Sequence, residues 1–308
     1  MTNVRDAAAP LLRKEIADQL RSGSPVEYQL ALRKLELLRP DVVITKGIAV
    51  GLCSGLRSRD RWLRERTASA VAKVPTRRCL GALIECLSDR HPAVRDYACQ
   101  ALGAIRDPAA IPGLTRMLAD RDEQVRHSAL HALTTLRRSD IKLIARMLQD
   151  RSALVRLAAA SALGRTDAPG TEVLIRRHLK AERDGLVRCD LLEALYLKER
   201  TPTILAHLLK LGRSGRGLVR LRVYDVLAGI SNRDNAHAIL LFLRSQEPHE
   251  SSRVGRNIIR SMERKIRKCV ARWGQQPAHV VGRDTRRRTR RRRASRATSS
   301  PVAGTAYD

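Results

Sequence analysis

One motif, repeated six times, sets the frame for everything else in this chain. An apolar residue followed by Arg recurs at Leu63-Arg64, Val94-Arg95, Val125-Arg126, Val155-Arg156, Val187-Arg188 and Val219-Arg220, at intervals of 31, 31, 30, 32 and 32 residues. In each copy, apolar side chains fall at 0, +4, +7 and +8 from that anchor, Thr67 being the one exception. This spacing places them on one stripe of a helix and does not suit a strand. A second apolar segment precedes most copies, as in Cys79 to Leu87, Ile111 to Leu118, Ile141 to Leu148, Val173 to Leu179 and Ile204 to Leu211. Each unit is therefore a helical hairpin that cannot bury its apolar face alone, and stacking on its neighbours buries it.

Composition agrees with this. Aromatic residues make up 3% of the 308 residues, which disfavours a β-sandwich or barrel core. The 43% apolar content, rich in Ala and Leu, suits packed helices. The expected architecture is an all-α, right-handed α-solenoid of about eight hairpins. It covers residues 1–273, with the best-matched repeats at about 57–230, and a disordered Arg-rich tail follows at 274–308. The first hairpin is expected at residues 3–38 and the last at 234–273, its second helix crowded with Arg and Lys.

The pattern Asp-x-x-x-x-Val-Arg-x-x-Ala-x-x-Ala-Leu, written at Asp89 to Leu102 and Asp120 to Leu133, resembles HEAT repeats, particularly the short PBS-lyase-type units. The resemblance implies a fold more than a function, because this family includes scaffolds, chromophore lyases, a hydroxylase and DNA-repair proteins. It also implies that Arg64, Arg95, Arg126, Arg156, Arg188 and Arg220 form a structural ladder, each paired with a turn acid of a neighbouring unit: Asp89, Asp120, Asp150 or Glu182. Arginine–carboxylate forks fix register well. The competing reading is a row of cations tracking phosphates.

In similar solenoids the second helices line the concave surface. Positions +2 and +6 should then be its exposed stripe. They include Glu65, Asp96, Gln100, His127, His131, Ser161, Cys189, Glu193 and Asp225, with no run of Lys or Arg. A mixed-to-acidic groove suits a protein segment better than a nucleic-acid duplex. We expect Glu65, Asp96, Gln100, His127, His131, Ser161, Glu193 and Asp225 to form that partner-binding groove.

The chain carries 60 Lys+Arg against 31 Asp+Glu, a formal net charge of +29. Residues 283–296 hold nine Arg and one Asp, so most of the excess belongs to the body. Basic clusters of this kind bind polyanions without reading sequence. The expected polyanion contacts are Arg260, Arg264, Lys265, Arg267 and Lys268 on the last helix. In the tail they are Arg286, Arg287, Arg288, Arg290, Arg291, Arg292 and Arg293. No stretch approaches the roughly 18 apolar residues of a membrane-spanning helix. The start has no signal-peptide core, and six cysteines without a Cys-x-x-Cys pair read as unpaired, largely buried thiols of a cytoplasmic protein.

Little points to chemistry. His127 and His131 lie four apart but supply only two nitrogens, too few for a metal site. Only one His-Glu pair, His249-Glu250, stands where the HEAT-like hydroxylase needs several. Trp62 and Trp273 are too far apart in the array to build an aromatic base pocket. No catalytic residue, metal or cofactor is expected. The expected role is a non-enzymatic protein-binding scaffold. Nucleic-acid binding through the basic surface and tail is the alternative, and a phycobilin-lyase-like activity the minor one.

Overall fold

A computed structural model describes residues 4–22, 24–37, 44–136, 141–250 and 252–275. The described residues form sixteen α-helices in pairs, with no strand among them. They begin with α1 (Val4–Arg21), α2 (Pro25–Leu37), α3 (Lys46–Leu56), α4 (Arg61–Lys73), α5 (Leu80–Cys86), α6 (Pro92–Ile105), α7 (Ile111–Met117) and α8 (Glu123–Thr135). They continue with α9 (Ile141–Met147), α10 (Ala153–Arg165), α11 (Thr171–Ala181), α12 (Gly185–Glu199), α13 (Pro202–Ser214), α14 (Leu218–Ile230), α15 (Ala236–Gln246) and α16 (Arg253–Gln275). The last helix thus runs two residues past the expected solenoid boundary at 273. The tail arginines 286–288 and 290–293 lie outside the described residues.

The chain divides into two compact units, with the division between His207 and Leu208, inside α13. In the first unit the second helices α4, α6, α8, α10 and α12 pack in sequence, one against the next. The anchor stripe makes these contacts. Val94, Val125, Val155 and Val187 are buried with Ala98, Ala129, Ala159 and Leu191 four residues on. Thr67, the polar exception, is also fully buried. Its hydroxyl donates to the Leu63 carbonyl at 2.7 Å and lies 3.1 Å from Tyr28 Oη, so the polar atoms in this slot satisfy each other. Gly55 makes room for that group: a Cβ there would stand 1.8 Å from Tyr28 Oη.

The turns before the second helices are capped by side chains. Asp60, Asp122 and Asp184 accept from the first free N–H groups of α4, α8 and α12. In the second unit, α16 packs on α14 and α15, burying Ile259 and Ile266. All six cysteines are free thiols, and Cys79, Cys86, Cys99 and Cys189 are buried.

Candidate functional site

Four of the five slot arginines of the first unit lie in forks. Arg64 donates to Asp89 from Nε at 2.5 Å and from Nη2 at 3.1 Å. Arg95 holds Asp120 at 2.7 Å through both nitrogens, and Arg126 holds Asp150 at 2.8 Å through both. Arg156 holds Glu182 at 2.8 and 3.2 Å. The remaining nitrogen of each guanidinium, Nη1, turns back to a carbonyl of its own turn, such as Arg59 for Arg64 and Arg121 for Arg126. Each carboxylate also accepts from a backbone N–H two residues on: His91, Asp122, Ser152 or Asp184. Burial alone would push these four carboxyls up. The arginine fork and the backbone N–H outweigh it and hold them below the ordinary range.

Two members of the expected ladder depart from this geometry. Arg188 reaches only the carbonyls of Leu179 and Glu182, at 3.2 and 3.0 Å. At 24 to 26 positions on, where the earlier copies carry an acid, stand Gly212, Arg213 and Ser214. In the second unit Arg220 meets Glu250 at 3.2 Å, 30 residues on. In the sequence Glu250 stands out only as half of a His-Glu pair. The structure makes it a ladder acid supplied from a different position.

Three of the expected groove residues are brought together. His127, His131 and Ser161 line one recess of about 230 Å³ with Leu130, Leu157, Arg165 and Asp190, so α8, α10 and α12 all contribute. Arg165 donates to Ser161 Oγ at 3.0 Å. Burial and the neighbouring His131 push the His127 imidazole below its usual value, and Asp96 partly opposes them. Asp96 itself accepts from Gln100 at 3.1 Å on α6. Glu65 and Glu193 are half-buried on α4 and α12, outside that recess. Asp225 belongs to the second unit, where it is exposed and pairs with Arg222 at 2.7 Å. Cys189 corrects the stripe: the +2 position it holds is fully buried and faces the core. Asp190 and Arg165 were missed. The only signal for Asp190 was an acid in a slot that holds Ser128 and Ala158 in the two preceding copies.

Along α16 the expected polyanion residues fall into two sets. Arg260 is drawn to Glu247 at 2.5 Å and Arg267 to Glu263 at 3.6 Å. Arg264, Lys265 and Lys268 are exposed, with no carboxylate partner among the described residues. Among the described residues, no three His, Cys, Asp or Glu side chains converge as a metal would require, and no helix is long and apolar enough to cross a membrane.

Comparison with known proteins identifies the repeat. A model of HEAT repeats matches residues 49–134 and 118–196. No curated protein matches the sequence. Among solved structures, the complex of CpcE and CpcF of phycocyanin lyase from Nostoc sp. PCC7120 is similar with a TM-score of 0.50 and 21% identity, covering 73% of this chain and 98% of that one. The YibA protein of E. coli gives 0.51 at 17% identity, covering 87% and 98%. A homology model of the full-length AP-3 complex in an intermediate open conformation gives 0.60 at 16% identity, covering 82% of this chain and 50% of the other. At these identities the likenesses establish the fold alone.

Proposed function

We propose that this chain, whose residues 49–134 and 118–196 match HEAT repeats, acts as a non-enzymatic scaffold that captures a protein segment along the second helices of its first unit. The observation that carries this reading is the recess across α8, α10 and α12. It presents imidazole, hydroxyl, guanidinium and carboxylate groups beside the apolar Leu130 and Leu157, a mixture suited to a peptide with both polar and apolar side chains. Asp96 adds negative charge near His127, and Glu65 and Glu193 carry more along the other second helices, which favours a basic or neutral segment and disfavours a phosphate backbone. The free cations of α16 and the arginines of the tail supply a separate, salt-sensitive contact to a polyanion.

The test compares full-length protein with a variant carrying E65K, D96K and E193K. Partners recovered from the source cells are identified by mass spectrometry, and affinity for the recovered partner is then measured. We expect a protein partner whose affinity falls at least tenfold in the variant and changes little between 50 and 300 mM salt. Unchanged affinity in the variant removes the groove assignment. A bound chromophore, visible in the absorbance spectrum of the purified protein, would move the reading to a lyase-like enzyme.

A further inference from the structure

A second arginine column runs beside the ladder, and its side chains do little for the fold. Arg59, Arg90, Arg121, Arg151 and Arg183 stand at intervals of 31, 31, 30 and 32 residues. The last four directly follow the ladder acids Asp89, Asp120, Asp150 and Glu182. All five are exposed, and none has a carboxylate partner among the described residues. The backbone of these turns is fixed by the ladder: Arg64, Arg126 and Arg156 donate to the carbonyls of Arg59, Arg121 and Arg151 at 3.1 to 3.2 Å. Any residue could supply those carbonyls. Among the described residues their side chains make one hydrogen bond, from Arg151 Nη2 to the Arg121 carbonyl at 2.9 Å. Stability therefore does not require arginine at these five positions, and a row of like charges is mildly unfavourable by itself.

The geometry of the row follows from the ladder as well. Each ladder guanidinium bridges the turn of its own repeat and the acid of the next. Neighbouring column arginines thus sit on turns one guanidinium apart, with helices packed at about 10 Å. Between the turns at 120–121 and 150–151 there is an open recess of about 560 Å³. Arg121, Arg146 and Arg151 stand on its rim and the paired Arg126 and Asp150 on its floor. Acids are also present on this edge. Asp60, Asp122 and Asp184 face their helix N-termini as caps, and Glu123 is exposed. Trp62 lies three residues past Arg59, on the first turn of α4, and is 36% exposed, with the Arg66 guanidinium 5.4 Å from its ring centre.

From these observations we propose that the turn edge of the first unit binds the phosphate backbone of a single-stranded nucleic acid, with Arg59, Arg90, Arg121, Arg151 and Arg183 as its contacts. The site is distinct from the groove and from α16, and does not rest on either. Arginine forks match phosphate oxygens in pairs. A polymer charged at every unit satisfies a regular row in any register, whereas an acidic peptide must match its spacing. A flexible strand can follow a row of about 40 Å. A duplex cannot, because its phosphates turn away within half a helical turn, about 17 Å. One exposed Trp at the end of the row offers a stacking face, and no ladder of aromatics follows, so binding is independent of base sequence.

The experiment is fluorescence anisotropy of labelled thirty-residue oligo(dT) with the full chain, between 50 and 300 mM salt. One variant carries Gln at the five column positions. A second carries Gln at Arg286–Arg288 and Arg290–Arg293 and leaves the column intact. Each phosphate contact on a single strand contributes a salt slope of about 0.7, so losing five lowers the slope by up to about 3.5 and weakens binding at least tenfold. The tail variant should keep that part of the slope. Wild-type affinity and slope in the column variant overturn the proposal. So does equal binding of labelled polyglutamate, which would make the ligand an acidic protein. If the column variant fails to fold, photo-crosslinking of a thiouridine-containing strand to the unaltered chain decides. Crosslinks within residues 59–62, 119–123 and 149–153 support the site, and crosslinks confined to other segments overturn it.

Discussion

The two units use the same arginine slot in different ways. In the first, Arg64, Arg95, Arg126 and Arg156 each find a carboxylate 24 to 26 residues on and grip it through two nitrogens. In the second, Arg220 has Ser245 at that distance and reaches Glu250 instead, at 3.2 Å through Nη1. The first pattern is a code, in which the acid, the turn and the next helix come as one unit and repeat together. The second is a local solution, in which an unrelated acid reaches the same guanidinium. The comparison teaches that bidentate geometry comes only with the fixed position, while Arg188, which meets only the Leu179 and Glu182 carbonyls, shows that the slot is also filled without a carboxylate.

The largest test of the first unit's code leaves the arginines alone. Val125 is fully buried between repeats, so Val125→Asp places an unpaired charge in that interface and should cost about 4 kcal/mol. Amide exchange in α6, α8 and α10 should speed up, while α14 and α16 keep wild-type protection. A native-like melt and unchanged exchange would mean that the repeat register is wrong.

Next in size is the ladder itself. The Arg126 and Asp150 side chains are 5% and 8% exposed, so Arg126→Ala strands a carboxylate in a site that its partner made tolerable. The expected loss is about 3 kcal/mol. Arg220→Ala, with a side chain 20% exposed and one nitrogen on Glu250, should lose about 1 kcal/mol. Denaturant melts of both variants, followed by exchange in α8 and α14, compare the two directly. Equal losses would erase the distinction between code and local solution.

Most of this contrast could be read before any coordinates, and the reasons for what could not are specific. The anchors and the slot arginines share one helical stripe, so spacing alone placed Val94, Val125 and Val155 in the core. Glu250 escaped because its partner is set by how α15 and α16 turn, and no periodicity records that. Cys189 was read as surface because +2 is a surface position in an average repeat. In α12 that position is buried, and a thiol tolerates it. The column from Arg59 to Arg183 was in plain view in the sequence. The neighbouring Val-Arg motif is the stronger repeat and masks it, and only the structure separates buried arginines from exposed ones. Asp190 and Arg165 join the recess through tertiary packing, which a per-repeat count of exposed positions does not follow.

Acid separates the regions more gently. Asp89, Asp120, Asp150 and Glu182 sit below their ordinary range in the folded chain, whereas unfolded Asp and Glu titrate near 3.9 and 4.3. The stability they lend is present above those unfolded values and is lost as pH falls through the depressed folded ones. Melts from pH 7 to pH 2 should show little ladder loss above about pH 5 and a progressive one below about pH 4. The Asp89→Asn/Arg64→Gln double variant should flatten part of that dependence. Loss of the first unit's protection already near pH 6 would place the sensitive group elsewhere.

The smallest effect lies in the recess. His127 titrates below its usual value because burial and His131 both disfavour its charged form, and Asp96 is the group that favours it. Asp96→Asn removes that support and should push the His127 midpoint further down. His131→Gln should push it up, because it removes the repulsion. Imidazole proton shifts in an NMR titration read both variants, and no structural change in the ladder should accompany them. A rise in Asp96→Asn would show that the aspartate acts on His127 through backbone position rather than charge.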